Sequence, residues 1–448
     1  MVFVKDLRKE FYEKIQHQRV LVLVSFDVDA LCACKILQYL FQCDHVLYTI
    51  VPVSGKQELE NAYVENSEGI KHVVMIGCGG NIDVVETLQP ENGTVFYISD
   101  SHRPIDVTNV FNQVQVKLLM NQADDDLHDI PDFDEVFRED ESGDEDSGNE
   151  SDTSEPSGKR RRFDEAALEK RRERRLWEEK KKQILFEYTQ FSKYGTSVSK
   201  TMFELAWKMS KDTNDLVWLA CVGVTDQYAH GKIDREKYIE MVSDLQMHVS
   251  RHNHSLLKPL GGNYHLAALD KDKSASDTFL DALDALNRSN VQYMEKGLNL
   301  AKKQITAIVK QVQSFLDMNQ VISAGPFLYA FIQEGTPDAK FFSKPICLQT
   351  LARFTLEAYC AVSKSRKAKT LPLILGAPLD VASGTMLIVG IPPFSSKDVG
   401  KNFFGKAFEQ AAVGTNARTL QDSFDEPVMQ MKTEDKSKFF DALISILQ

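Results

Sequence analysis

The sequence predicts an α/β protein: a doubly wound parallel-sheet domain, then a smaller α/β domain, with a disordered acidic loop interrupting the first. Three observations support this. From residue 20 onward, short β-branched apolar runs alternate with helical patterns on short connections. The same alternation resumes near residue 278, after a set of amphipathic helices. Between them lies a tract of Asp, Glu, Ser and Gly with too few apolar side chains to offset the entropy of ordering it. At 448 residues and 43% hydrophobic content, the chain is long enough for two or three domains with sizeable cores.

VLVLV at 20–24 reads as a strand, and Leu31, Leu37 and Leu40 set the apolar positions of a helix over 30–41. Strands at 46–51, 73–76 and 95–98 alternate with helices at 56–65 and 82–88, and 114–119 offers one more strand. Strands joined this way run parallel, and a ligand crevice is expected at their carboxyl ends. A highly charged helix at 160–190 precedes three amphipathic helices at 198–209, 214–228 and 235–249. After an irregular His, Pro, Gly and Lys stretch come helices at 278–288 and 291–315, a strand at 327–331 and a helix at 347–361. Strands at 372–377 and 385–389 and helices at 402–412 and 436–447 complete the pattern. The domain plan is therefore 1–122 (α/β domain, first part), 123–158 (acidic loop), 159–190 (basic charged helix), 191–250 (helical remainder of the first domain), 251–277 (linker) and 278–448 (second α/β domain).

The net charge of −12 belongs to one tract. Residues 124–155 hold 16 acids and one base, while 159–182 hold 12 bases and 6 acids, which leaves the rest of the chain near neutral. An acidic isoelectric point therefore excludes no phosphate-bearing partner. The block Lys159-Arg160-Arg161-Arg162 reads first as a nuclear-import signal, next as a solvated helical face, and last as a DNA contact, because the acidic tract beside it repels phosphate. Ser142, Ser147, Ser151 and Ser154 lie among acids, a context that acidophilic kinases select. No apolar run approaches the roughly 18 residues of a membrane helix, and MVFVKDLRKEF does not read as a signal peptide. No membrane partner is expected, and the nucleus is the expected location. The seven cysteines lie mostly in apolar elements (Cys32, Cys34, Cys43, Cys221, Cys360) and form no CxxC pair, so reduced core thiols are expected and zinc is not. His248, His252 and His254 read as exposed linker histidines rather than as a metal cluster.

Asp27-Val28-Asp29 follows the first strand directly, Gly77-Cys78-Gly79-Gly80 follows VVMI, and Asp100-Ser101-His102-Arg103-Pro104 follows VFYIS. An isolated DxD is more often a turn and a helix cap. Its recurrence with two other polar clusters at strand ends of one sheet favours a functional crevice.

FDVDALCACKIL, IGCGG and ISDSHRP, in that order, resemble the motifs of the DHH phosphoesterases typified by the RecJ nuclease. QRVLVLVSFDVDALCACKILQ, DQYAHGKI, GPFLY, EGTPD and KNFFGKAFEQAA resemble the cell division cycle protein 45 family, and that resemblance runs along most of the chain. It implies a DHH domain followed by a DHHA1-like domain. Asp27, Asp29, Asp100, His102 and, by position, Asp226 match metal-pocket residues of the nuclease motifs, whereas Ser25, Cys78 and Ser101 stand where a His, an Asp and a His are lost. The Gly-Gly-Gly-His phosphate-contact motif of the associated domain is reduced to Asn402-Phe403-Phe404-Gly405. Gly55-Lys56 is the nearest approach to a phosphate loop and lacks its leading Gly and its Ser or Thr.

Ser is a poor replacement for a His ligand, and a thiol is too soft for Mn²⁺ or Mg²⁺. The resemblance therefore implies a vestigial pocket with no catalytic residues, cofactor or catalytic metal, with a single loosely bound cation left open. It implies a replication-initiation scaffold associating with the MCM helicase hexamer, the GINS tetramer, other origin-firing factors and single-stranded DNA at forks. The competing reading is a residual metal-dependent phosphoesterase or single-strand nuclease. The resemblance also implies a long helical insertion where this chain passes from RHNH to SDTFLDALDALNRSN within about twenty residues, so the shortened chain is expected to lack those elements and to have a second sheet short of a strand or two, with an unpaired edge or exposed apolar surface.

Overall fold

The structure is a computed structural model describing residues 2–120, 127–138, 165–252, 275–287, 290–365, 367–394 and 400–448. It divides into two compact units, Met1–His128 with Phe191–Gln448, and Asp129–Gln190.

Among the described residues the larger unit contains two large sheets and one two-stranded sheet. The first runs through β1 (Arg19–Ser25), α1 (Val28–Cys43), β2 (Leu47–Val53), α2 (Lys56–Asn66), β3 (His72–Ile76), α3 (Val84–Leu88) and β4 (Val95–Ser99). A two-residue strand β5 (His102–Arg103), α4 (Val107–Phe111) and β6 (Val116–Leu118) follow. Its order is β2-β1-β3-β4-β6, and every pairing is parallel. All but the first residue of β1 are buried, which explains why VLVLV is a continuous apolar run rather than an alternating one: layers cover both of its faces. The chain leaves β1 toward β2 on one side and returns to β3 on the other. That reversal opens the crevice of a doubly wound sheet at the carboxyl ends of β1 and β3.

After β7 (Lys193–Tyr194), which pairs antiparallel with β5, three helices complete this layer: α5 (Val198–Lys208), α6 (Asn214–Ala229) and α7 (Arg235–His252). α1 packs against α5 and α6 around Leu31, Leu37, Phe203, Leu219 and Val224. α8 (Ala275–Ala285) adds Phe279 and Leu283 to the same core.

The second sheet follows α9 (Val291–Asp317). Its elements are β8 (Ile322–Ser323), β9 (Leu328–Phe331), α10 (Pro345–Val362), β10 (Leu373–Asp380), β11 (Thr385–Ile391), α11 (Phe404–Thr415), β12 (Thr419–Leu420), β13 (Val428–Lys432) and α12 (Lys436–Leu447). The order is β12-β13-β11-β10-β9-β8, with only β9–β10 parallel. Alternation along β10 sends Leu373 and Leu375 toward Leu348 and Leu351 of α10, and Ile374 toward Phe404, Phe408 and Phe439 of α11 and α12. Helices therefore cover both faces.

Most elements fall where the sequence puts them. Of the helices, α4 was not anticipated; of the strands, β8, β12, β13 and the β5–β7 pair were not. β13 is VMQMK, whose inward Met429 and Met431 give a weak β signal, and the others are two residues long. Among the described residues six strands form the second sheet, and its edges are the two-residue β12 and β8.

Three further expectations change. Part of the acidic segment is ordered, since Phe133–Val136 is a helix in the smaller unit, with Phe133 stacked on Phe137 at 5.2 Å and Lys181 5.7 Å above the Phe137 ring. Those apolar residues give it what the rest of the tract lacks. The charged helix of that unit spans Glu165–Thr189. His248 is buried, edge-on to Phe203 at 5.0 Å and to Trp207 at 5.1 Å, so it is a packing residue of α7 rather than an exposed linker histidine. Cys43 is exposed at the end of α1. Ser142, Ser147, Ser151, Ser154, Lys159, Arg160, Arg161, Arg162 and His254 lie outside the described residues.

Candidate functional site

The crevice at the ends of β1, β3 and β4 gathers the residues singled out above. Ser25 closes β1 and donates its hydroxyl to Asp27, whose other oxygen accepts the Ala30 amide at 2.8 Å as the N-cap of α1. Asp29, in the first turn of α1, is buried. Its Oδ1 accepts the Ser197 hydroxyl at 2.6 Å and the Ser199 amide at 2.9 Å, and its Oδ2 accepts the Val198 amide at 2.8 Å and Gln227 Nε2 at 3.2 Å. Asp29 therefore serves the N-terminus of α5, where free amides and the helix dipole favour an anion. Burial pushes its pKa up, aided by Asp27 and opposed by the hydrogen bonds from Ser197 and Ser199. Gly223 of α6 passes so close that a Cβ there would run into Ser199 and the Asp29 carboxylate.

Asp100 stands at the end of β4. It accepts the Gly80 amide at 2.8 Å, the His102 amide at 3.1 Å and His102 Nδ1 at 2.7 Å. Gly80 is required here because a Cβ would sit 2.9 Å from the Asp100 carboxylate. The other ring nitrogen of His102, Nε2, lies 3.2 Å from Asp425 Oδ1, and Asp425 also accepts the Tyr194 hydroxyl. Burial lowers the His102 pKa, but the two carboxylates outweigh it and raise it to about 10. Burial likewise pushes Asp100 and Asp425 up, and the surrounding donors and cations bring both below the ordinary carboxylate range.

Asp226 on α6 is 3.0 Å from His230 Nδ1, and it lines the same cavity as Asp27. Lys232, just beyond α6, carries its ammonium 5.0 Å above the Tyr194 ring. Burial lowers its pKa, but Asp27, Asp425, Asp226 and Asp29, in that order, drive it well above the ordinary lysine value.

Cys78 is buried with Sγ 3.8 Å from the Leu23 carbonyl, and burial, Asp100 and Asp27 raise its pKa so far that it stays a neutral thiol. Ser101 is buried, and its carbonyl accepts the Gly195 amide at 2.7 Å. Among the described residues no group of three or more His, Cys, Asp or Glu side chains is arranged to hold a metal ion. A cavity of about 310 Å³ adjoins the crevice, lined among others by Asp27, Asp226, Lys232, Arg353, Phe26 and Phe354.

The two weak phosphate motifs are also accounted for. Gly55 is the N-cap of α2, and Asp422 caps that helix end, its carbonyl accepting the Lys56 amide at 2.9 Å and its Oδ1 the Gln57 amide at 2.8 Å. Asn402 pairs its backbone with Ser192 and orients α11 by accepting the Phe404 amide at 3.0 Å.

The sequence pointed to Asp27, Asp29, Asp100, His102 and Asp226, and the fold brings all five to one crevice. It missed Tyr194, His230, Lys232 and Asp425. Lys232 and His230 lie inside DQYAHGKI, close enough to Asp226 to have been considered. Asp425 is 323 residues from His102 and could be found only from the fold.

The architecture is a RecJ-like fold. The chain superposes on an exonuclease RecJ bound to manganese with a TM-score of 0.51 at 12% identity, over 97% of this chain and 92% of that one. It superposes on CDC45 from Entamoeba histolytica with a TM-score of 0.61 at 18% identity, over 98% of both. Within that class the chain belongs to the CDC45 family, whose family model matches residues 20–138, 120–268 and 262–446. It is 41% identical to the cell division control protein 45 homolog of Homo sapiens over 567 aligned positions, spanning all of both chains, and 41% identical to that of Mus musculus over 568. The 567 positions exceed the 448 residues of this chain by 119, so the human relative carries a large complement of residues without a counterpart here.

Proposed function

We propose that the chain is a non-catalytic DNA replication initiation factor. In this reading it is a nuclear scaffold that associates with the MCM helicase hexamer, the GINS tetramer and other origin-firing factors, and holds single-stranded DNA at forks. Its body is a RecJ-like hydrolase fold whose metal centre is no longer built.

One observation carries the non-catalytic part: the crevice neutralises and hydrogen-bonds its own carboxylates. A two-metal hydrolase needs ligands with free lone pairs around ions roughly 3.5–4 Å apart. The residues present do not fit such a pair. Each oxygen of Asp29 already accepts two protein donors, and Asp100 accepts three. His102 spends both ring nitrogens on carboxylates. Ser25 and Cys78 stand at two ligand positions, and Cys78 is a neutral thiol. Lys232 supplies the positive charge that a hydrolase of this fold would take from its ions.

The scaffold part is supported by the full-length likeness to the cell division control protein 45 homologs. It is tested by co-purifying MCM and GINS subunits with this chain and with a chain carrying the relatives' additional segment. Recovery of both complexes with this chain is the expected result. Recovery with neither chain would defeat the proposal.

A further inference from the structure

We propose that Asp425 occupies a built anion subsite, formed by His102, Tyr194 and Lys232, that accepts a phosphate-class oxyanion when this carboxylate is withdrawn. The inference rests on the reading of the crevice as metal-free and adds what the crevice recognises instead.

Asp425 is not a residue of the sheet whose crevice it enters. It precedes β13 in the second sheet, and the segment 422–425 carries it across. Three hydrogen bonds fix that segment: the Lys56 amide to the Asp422 carbonyl at 2.9 Å, the Gln57 amide to Asp422 Oδ1 at 2.8 Å, and Asn81 Nδ2 to the Phe424 carbonyl at 2.9 Å. They place Asp425 Oδ1 3.2 Å from His102 Nε2 and within reach of the Tyr194 hydroxyl, which donates to it. The Lys232 ammonium lies over the same tyrosine ring, 5.0 Å from its centroid. The Asp425 side chain is 13% exposed and that of His102 10%.

An imidazole nitrogen and a phenol converge on one enclosed oxygen, with the Lys232 ammonium over the phenol ring beside them, and donors of this kind next to a cation suit an oxyanion with several acceptor oxygens, charge-assisted bonds being the strong ones. Aspartate fills the subsite with one negative charge. A phosphate brings the same charge or more and additional acceptors, so Asp425 acts as an internal stand-in for it. The native crevice is consequently closed to phosphodiesters, and any single-stranded nucleic acid is held outside it.

The test uses the full chain in EDTA with inorganic phosphate as the probe, read by calorimetry and by the phosphate dependence of Tm. Asp425→Ala is expected to bind phosphate at least roughly tenfold more tightly than the native chain, and adding Lys232→Ala to it is expected to abolish the gain. Asp425→Asn, which keeps the side-chain shape, should show a smaller gain. If Asp425→Ala unfolds in phosphate-free buffer, phosphate should restore its circular dichroism.

Dithymidine with a 5′-phosphate and dithymidine without one serve as competitors. Competition by the first alone assigns the subsite to a terminal phosphate, and competition by both assigns it to the backbone. A folded Asp425→Ala that binds no phosphate, an unfolded one that phosphate does not rescue, or a native chain that binds as tightly as the variant would each overturn the proposal. EDTA keeps these outcomes separate from any failure of the metal-free reading, which would appear as metal-dependent cleavage.

Discussion

Asp29 and Ser197 are 168 residues apart in sequence and 2.6 Å apart in space, the carboxylate of one element capping the helix begun by the other. Asp29 ties α1 to α5, and each of its oxygens accepts two donors.

That use makes Asp29 a stability residue. Asp29→Ala leaves the Ser197 hydroxyl, two amides and Gln227 without their buried acceptor, and should cost about 3–5 kcal/mol in urea unfolding. Asp29→Asn should recover only part of this, since an amide oxygen cannot replace two carboxylate oxygens. A change below about 0.5 kcal/mol for Asp29→Ala would show that the capping role is wrong.

Lys232 should behave as the internal counter-ion of the crevice. Lys232→Gln leaves Asp27, Asp226, Asp29 and Asp425 without their shared cation and is expected to destabilise the fold by roughly 1–3 kcal/mol at low salt. Mn²⁺ should then raise the Tm of the variant and leave that of the native chain unchanged. Equal Mn²⁺ responses from both would contradict the assignment.

Glu426 predicts a pH dependence. Burial raises its pKa to about 7, against Lys56, His102 and Lys406 and with help from Glu409. The folded state thus holds this proton more tightly than the unfolded one. Stability from that proton is complete below the unfolded value of 4.5 and is lost as pH rises through about 7. Glu426→Gln should therefore raise stability by about 1–2 kcal/mol at pH 8 and have little effect at pH 4, read from Tm across that range. A benefit that does not change with pH would rule this out.

Asp422 caps α2 from the second sheet, so Asp422→Ala should lower stability by about 1 kcal/mol through the lost cap. A chain whose denaturation midpoint is unchanged would show that this end of α2 is satisfied in another way.

Local pattern made the fold legible where periodicity was strong. VLVLV, the Leu31–Leu37–Leu40 face and the helices of the second sheet came through because apolar spacing alone sets burial in them. VMQMK and the two-residue strands did not, because their pairing is decided by neighbours distant in sequence. His248 was misjudged for the same reason: its aromatic neighbours Phe203 and Trp207 are about forty residues away.

Asp27, Asp29 and Asp100 were visible because they follow strands of one sheet, and Asp226 because it matches a motif position of the family resembled. What they bind was not. Asp425 arrives from the second sheet, and Lys232 earns its role only once four aspartates are folded around it. Sequence could suggest that ligands had been replaced, but not that the chain supplies its own cation and its own anion.

The most direct measurement of the central claim is hydrolysis of end-labelled single-stranded DNA by the purified chain in Mn²⁺, beside Asp27→Ala and Asp100→Ala. A self-neutralised crevice predicts no cleavage above buffer from any of the three. Cleavage by the native chain that either substitution abolishes would contradict the account and make the protein an enzyme.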